Sequence, residues 1–355
     1  MRLLKLIFLL LSILACSSDD QEIIDHDHEP EIPLGDNCNL VSGWLIDPSL
    51  IIGGGVGKDG IPSLDDPTFI SRDEVDFLKD NELVIGINTG DQTLLFPHRI
   101  IDRHEIVNGQ ADNFNYTMTF CPLTGSAIGF CRGSDGSFGV SGLLHNSNLI
   151  YFDRKNDSHW SQMLLTSIRG PSVCKTINVL NLIEMTWKEW KQQSIDFKVL
   201  SINTGFDKDY SQSFSELIEL NDTPLWPYSP QDTRLENFER VYVLFIDSRP
   251  KAYPLNAENS LSIIKDTILG TRVILITYNE AGLITAFYDE GGEYSIESQS
   301  EGIIIRKQNK SWDIFGKSFN DEHEDLTKPN GYTAYWFSVG AMFPGIELYN
   351  QDGKD

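Results

Sequence analysis

The amino-acid sequence predicts a mainly β fold, a β-rich α+β protein of two pseudo-repeated halves with a few short helices. Three observations carry that expectation. The apolar runs are short, rich in Val, Ile, Phe and Tyr, and separated by Gly, Asn, Asp and Ser, which is the pattern of strands and turns. Helical stretches are few. One order of landmarks occurs twice along the chain.

The repetition is read first. Residues 82–97 (ELVIGINTGDQTLLFP) and 241–254 (VYVLFIDSRPKAYP) each give an apolar strand, a polar turn and an aromatic followed by proline. Thr119-Phe120 follows Pro97 at nearly the distance at which Thr277-Tyr278 follows Pro254. Each pair passes through a glycine turn into a further strand, at Ile128-Gly129-Phe130 and Thr285-Ala286-Phe287. Leu149–Asp153 leads to Trp160 as Ile303–Arg306 leads to Trp312. Trp187 precedes the strand ending at Leu200, and Trp336 precedes the one ending at Tyr349. Five coincidences in one order define unit one, 76–201, and unit two, 236–350, with 38–75 as a lead-in and 202–235 as a crossover.

Within the units, Phe138–Leu144 reads as a strand with a glycine at which it can bulge or bend. Thr186 to Gln193 reads as a helix with a Thr cap, and Asn256 to Ile264 as another. Pro224, Pro227 and Pro230 mark the crossover as irregular.

Residues 1–15 show the order of a secretory signal: Arg2 and Lys5, an apolar run from Leu6 to Leu14, then small Ala15 before Cys16. The run is too short to span a bilayer as a mature helix. Ile13-Leu14-Ala15-Cys16 resembles a bacterial lipobox, which predicts acylation of Cys16 and a membrane partner through two or three lipid chains. Residues 16–37 are acidic and proline-dotted, with little to bury, and read as a solvated tether. Asp25-His26-Asp27-His28-Glu29 in that tether offers weak metal ligands, although hydration alone explains it. The expected address is the outer membrane, facing the periplasm or the cell surface.

A formal charge of −24 excludes nucleic acid as a partner, because phosphate binding needs clustered Lys and Arg. Acylation of Cys16 leaves Cys38, Cys121, Cys131 and Cys174, which an oxidising compartment can join in three connectivities. One of these places Cys121 opposite Cys131 across a hairpin.

Comparing the units locates the chemistry. Residues needed for packing should persist in both, whereas reactive ones can survive in one. His104 and Glu105 stand against Ser262 and Ile263, and Cys121-Pro122-Leu123-Thr124-Gly125 against Asn279-Glu280-Ala281-Gly282. Unit one alone then offers His145-Asn146-Ser147-Asn148, Asp153-Arg154 and Ser158-His159-Trp160-Ser161-Gln162. Reactive residue types are concentrated in unit one.

Phe120–Ala127, Phe138–Leu143, Asp153-Arg154 and Trp160-Ser161-Gln162 resemble the uncharacterised bacterial family known as domain of unknown function 3179. The closing Ala334-Tyr335-Trp336-Phe337 with Phe343-Pro344 is similar to that family's C-terminal end. The resemblance covers nearly all of 76–350 and implies an exported domain without implying a reaction. Members often carry a second cysteine where Thr124 stands, so its absence here weakens a two-cysteine mechanism.

Three readings of function remain open. His104, Cys121 and His145 are candidate metal ligands whose donor types suit zinc or copper. His104, Glu105 and Cys121 are candidate catalytic residues, a thiol with its base, the imidazole being oriented by Glu105 or Asn108. His145, Asn146, Asn148, Asp153, Arg154, Trp160 and Gln162 mix an aromatic plate with hydrogen-bonding groups, the lining of a small-ligand pocket. Against the last, Trp160 has a counterpart in Trp312, and Asp153-Arg154 equally suits a structural ion pair. A surface that only binds a protein partner is the remaining class.

Overall fold

The computed structural model describes residues 38–90, 92–111, 114–133, 136–255, 260–299, 302–319 and 323–350. The signal, lipid-attachment and tether expectations therefore fall outside the described residues. Among these, strands dominate, and no helix is long and apolar enough to cross a membrane. The four short α-helices are α1 (His98–Ile101), α2 (Trp187–Trp190), α3 (Phe214–Glu219) and α4 (Trp336–Met342).

The first sheet is a hairpin, Leu83–Asn88 with Thr93–Pro97, flanked on both sides. Leu182–Thr186 lies antiparallel against the first strand, and α2 then returns the chain to Phe197–Leu200, parallel to the second. In the second half, the hairpin Arg240–Ile246 with Arg249–Pro254 is flanked in the same order by Gly331–Tyr335 and Glu347–Leu348, with α4 between them. Register agrees in detail. Val84 pairs with Pro97 as Val241 pairs with Pro254. The backbone N–H of Trp187 donates to Glu82 O at 2.8 Å, and that of Trp336 to Glu239 O at 2.9 Å.

Each half adds two further antiparallel sheets. Ile106–Gln110, Asn115–Cys121 and Ser126–Arg132 run in the order of Ser262–Ile268, Thr271–Tyr278 and Leu283–Tyr288. Phe138–His145, Asn148–Asp153 and His159–Ser161 run in the order of Ser295–Gln299, Gly302–Lys307 and Lys310–Trp312. Register shifts part of the comparison made from sequence. Thr119 pairs with Ile106 and Ile128, and Thr277 with Ser262 and Ile284. Aligning the threonines sets Ser262 against Ile106, not His104, and Ile128 against Ile284, not Thr285.

Alternation along the hairpins sends successive side chains to opposite faces. Ile85, Ile87 and Phe96 face unit one's own Tyr116, Met118 and Phe120. Val84, Leu95, Trp187 and Trp190 instead pack on Ile274, Phe287, Ile305, Trp312 and Phe315 of the other half. Unit two reciprocates: Tyr242 and Leu244 face its own Val273 and Leu275, while Val241, Val243 and Trp336 pack on Ile128, Ile150 and Met163 of unit one. Both central sheets are therefore covered on two faces, once by each half. Gly86 leaves the space for this contact, since a Cβ there would stand 2.4 Å from the Trp190 ring.

The lead-in is woven into unit one. Ile51–Gly53 pairs with Phe138–His145, Leu64–Asp65 with Ile106–Gln110, and Phe69–Ser71 with Phe197–Leu200. A disulfide joins Cys38 to Cys174, with 6.0 Å between their Cα atoms. Gly142, at φ +77°, accompanies a register shift opposite Ile150 and Tyr151, which is the expected bulge. Two helical expectations change. Ser262–Ile264 belongs to a strand because its Ile side chains alternate against Thr271–Tyr278, and residues 256–259 lie outside the described set. The crossover holds α3, started by Ser213, whose Oγ accepts from the Glu216 N–H at 3.4 Å.

Reciprocal packing makes each half dependent on the other for one face of its central sheet. A chain ending at residue 235 should show no cooperative thermal transition and no near-ultraviolet circular dichroism, whereas the full domain shows both. A cooperative melt from the truncated chain would contradict that dependence.

Candidate functional site

The strand Thr93–Pro97 is buried throughout and ends at Pro97, whose extended backbone turns the chain into α1. This one-turn helix sinks Ile100 and Ile101 into the core and leaves His98, Arg99 and Asp102 buried beside them. Glu105 follows in the left-handed region, φ +58°, a conformation that costs a non-glycine residue roughly 1 kcal/mol. It is held there from both sides: its N–H donates to Ile101 O at 2.7 Å and its carbonyl accepts from Phe120 N–H at 2.7 Å. The turn brings the Glu105 carboxyl within electrostatic reach of Asp102 and of Cys121.

The opposite wall comes from α3 and unit two. Asp102 Oδ2 accepts from Ser213 Oγ at 2.6 Å and from the Phe214 N–H at 2.6 Å, so this carboxylate caps the helix. Glu216 faces Glu82, His98, Asp102 and Glu219, while the Tyr335 hydroxyl donates to Glu219. Arg240 reaches Glu184 at 2.5 Å, and His98 Nε2 reaches the same carboxylate at 3.1 Å. Arg99 pairs with Glu82 and donates to Phe77 O at 2.6 Å. The cluster runs inward from exposed Glu216 and half-buried Glu105 to buried Asp102 and His98.

Among the described residues, the basic partners of six carboxyls (Glu82, Asp102, Glu105, Glu184, Glu216 and Glu219) are Arg99, Arg240 and His98. Desolvation disfavours the charged form of a buried acid. Burial, then Asp102, pushes the Glu105 carboxyl up to about 8. Burial also raises Asp102, opposed by His98 and by its hydrogen-bond donors. Burial, then Glu105, pushes the Cys121 thiol up to about 12. Glu184 goes the other way: burial would raise it, but Arg240 and His98 outweigh burial and hold it below the usual carboxylate range. Glu105 and Cys121 thus carry protons near neutral pH, and the charged pairing is that of Glu184 with Arg240 and His98 and of Glu82 with Arg99.

Three buried polar atoms of this cluster lack a hydrogen-bond partner among the described residues: Glu82 Oε2, Arg99 Nε and Asp102 Oδ1. Leaving such a group unmet costs about 1–3 kcal/mol. His98 additionally packs on the Phe120 ring, 4.5 Å between centroids.

The residues nominated from sequence divide sharply. Glu105 and Cys121 belong to the cluster. His104 does not join them: its ring bonds to Pro62 O at 2.8 Å and Tyr210 Oη at 2.6 Å, and burial holds its pKa down. Asn108 does not orient that ring, because it binds Asp65 and Phe138. The thiol donates to Ser147 O at 3.7 Å, and the groups acting on its ionisation are Glu105, Thr124 and Leu149, none of them an imidazole. His145 is buried with Nδ1 unpartnered, and burial drives it down to about 4. No three His, Cys, Asp or Glu side chains converge as metal ligands among the described residues, so the structure does not bring His104, Cys121 and His145 together as one ligand set. The Cys121–Cys131 pairing is also corrected: Cys121 is a free, buried thiol opposite Ser126, and Cys131 lies opposite Tyr116.

The proposed pocket lining is largely structural. Gln162 Nε2 donates to Thr119 Oγ1, and its Oε1 accepts from Asn148 and Ser126, within a fully buried network. Asn146 donates to Ala341 O and accepts from the Ser229 N–H, tying unit one to α4 and the crossover. Arg154 takes Asp59 of the lead-in at 2.6 Å, not Asp153, whose carboxylate caps its own turn at Lys155. Trp160 stacks parallel on Tyr151 inside a core and presents no plate to solvent. The network does serve the site indirectly. Thr124 accepts the Tyr335 N–H at 2.8 Å, and Gly125 lies so close that a Cβ would stand 2.6 Å from the Tyr335 ring.

His98, Asp102, Glu184, Glu216, Glu219, Arg240 and Tyr335 were not nominated from sequence. Six elements from both halves supply the cluster, and no local spacing announces it. One signal existed: matching Pro254 to Pro97 by their strand register sets Leu255, an apolar residue, where unit one has His98.

Residues 58–345 match the family described as protein of unknown function (DUF3179), and the chain belongs to that family. No curated protein and no solved structure matches the chain.

Two outcomes follow from the protonated acids. Native Cys121 should resist a thiol-specific reagent and react fully in denaturant; rapid native labelling would contradict a buried thiol. The folded state holds Glu105's proton up to about pH 8, whereas an unfolded glutamate releases it near 4.5. Wild-type stability should therefore fall relative to Glu105→Gln between pH 5 and 8, by on the order of 2 kcal/mol in urea denaturation. Parallel pH profiles for the two proteins would rule this out.

Proposed function

We propose that this protein is an exported, lipid-anchored binding domain that holds a small amine-bearing ligand at the seam between its halves, through the α1 segment of unit one. The observation that carries the reading is the group of unpartnered buried atoms on and beside α1: Glu82 Oε2, Arg99 Nε and Asp102 Oδ1. A folded chain buries such atoms at a cost unless something else meets them. The surplus of carboxyls over basic groups, with the Glu105 proton retained and burial pushing Asp102 upward, marks places where a donor or a positive charge is stabilised. Exposed Glu216 and half-buried Glu219 give the ligand an approach along α3.

The two central sheets share strand order and register, and we take the halves as copies of one ancestral unit. Unit two keeps the scaffold and lends Arg240 and Tyr335 to the site. The Cys38–Cys174 disulfide agrees with an oxidising compartment, and the lipobox with an anchor at the outer membrane. A cysteine–histidine enzyme is the weaker reading, because the thiol is protonated and has no imidazole beside it.

The test is differential scanning fluorimetry of the domain lacking its signal and tether, against small primary amines and guanidines and carboxylates of matched size. Amines should raise the melting temperature by ~3 °C or more at saturating concentration. Asp102→Asn should abolish that rise. A rise produced equally by carboxylates, or one unaffected by Asp102→Asn, would refute the proposed site.

A further inference from the structure

A second site lies outside the seam cluster, on the lead-in side of unit one. A cleft of about 330 Å³ opens between Asp66, Pro67 and Phe69 of the lead-in, the turn and strand carrying Gln92 and Leu94, the hairpin carrying Gln110 and Tyr116, and Lys198. This volume stands at the lower end of the range of about 300–1,000 Å³ occupied by small-molecule sites.

The cleft is built in layers. Leu94 and Tyr116 are buried at its base, Pro67, Phe69 and Gln92 are half-buried, and Asp66, Gln110 and Lys198 reach solvent. Tyr116 is 0% exposed, yet its hydroxyl has no hydrogen-bond partner. The ring fits only because residue 109 is glycine, since a Cβ there would stand 2.2 Å from the phenol oxygen. Neighbouring rings fix it further: Phe96 packs edge-on to Tyr116 at 6.0 Å, and Phe69 edge-on to Phe96 at 5.5 Å. Asp66 is set in the left-handed region, φ +54°, with its N–H donating to Asn108 O at 3.1 Å.

We propose that this cleft binds a neutral sugar of one or two pyranose rings. Each wall group suits a hydroxylated ligand. Gln92 and Gln110 both donate and accept, Lys198 donates and Asp66 accepts. Phe69, Pro67 and Leu94 give an apolar surface for the C–H face of a sugar ring. One carboxylate and one ammonium leave the lining without net charge, so it selects neither an anion nor a cation.

The test uses saturation-transfer NMR and calorimetry on the whole domain with glucose, galactose, mannose and N-acetylglucosamine, and with glycine and alanine as zwitterion controls. At least one sugar should bind with a Kd on the order of 1 mM or tighter. Gln110→Ala, an exposed change that leaves the fold intact, should weaken it about fivefold, and Gln92→Ala should do the same without lowering the melting temperature. Binding by none of the sugars, binding unchanged in Gln110→Ala, or binding by the amino acids alone would each overturn the assignment. Asp102→Asn should leave sugar binding intact, which separates this site from the seam.

Discussion

Every other feature of the fold rests on one constraint: each central hairpin sheet has two apolar faces, and its own half can cover only one. Ile85 and Phe96 find partners within unit one, but Val84, Leu95 and Trp190 find theirs in Ile274, Trp312 and Phe315. Val241, Val243 and Trp336 make the return exchange with Ile128, Ile150 and Met163. Trp190, Trp312 and Trp336 are among the largest fully buried side chains, and truncating any one to alanine would cost about 3–5 kcal/mol. Two such interlocked faces make the halves one cooperative body.

Interlocking also creates the polar seam. Where the sheets meet, the ends of strands and the short α1 and α3 helices arrive from several directions, and their polar groups cannot all reach water. Arg240 and Glu184, from opposite halves, settle the charge at one end by pairing with each other and with His98. At the other end desolvation pushes Asp102 upward against the opposing pull of His98, and keeps the proton on Glu105. The strained turn at Glu105 persists because two backbone hydrogen bonds hold it beside Cys121. A protonated carboxyl, a protonated thiol and unpartnered atoms on α1 form an environment unlike the saturated network of Thr119, Ser126, Asn148 and Gln162 a strand away. That network is rigid and complete, and its task is to fix the Thr124-Gly125 turn against Tyr335.

The contrast between these two buried polar regions explains why residue type misled where pattern did not. Asn148, Gln162 and Arg154 look like ligand-binding groups in sequence, because hydrogen-bonding capacity is visible there and its satisfaction is not. Asn148 spends that capacity on Thr124, Ser126 and Gln162, and Arg154 spends it on Asp59, 95 residues away. His104 is bonded to Tyr210 of the crossover, a partner no spacing rule would supply. Asp102, by contrast, was visible only as one more acid in an acidic chain.

Alternation of apolar residues, turn glycines and the repeated Pro and Trp landmarks were enough, by themselves, to determine a β-rich chain with short helices, a bulge in Phe138–His145 and the concentration of reactive residue types in its first half. These are local properties, set by backbone sterics and by which side chains can share a strand face. The tertiary structure decided the exact register between the halves, the Cys38–Cys174 pairing, and which polar groups are satisfied. Those depend on contacts between residues a hundred or more positions apart, whose energies come from desolvation and mutual geometry and leave no periodic mark in the chain.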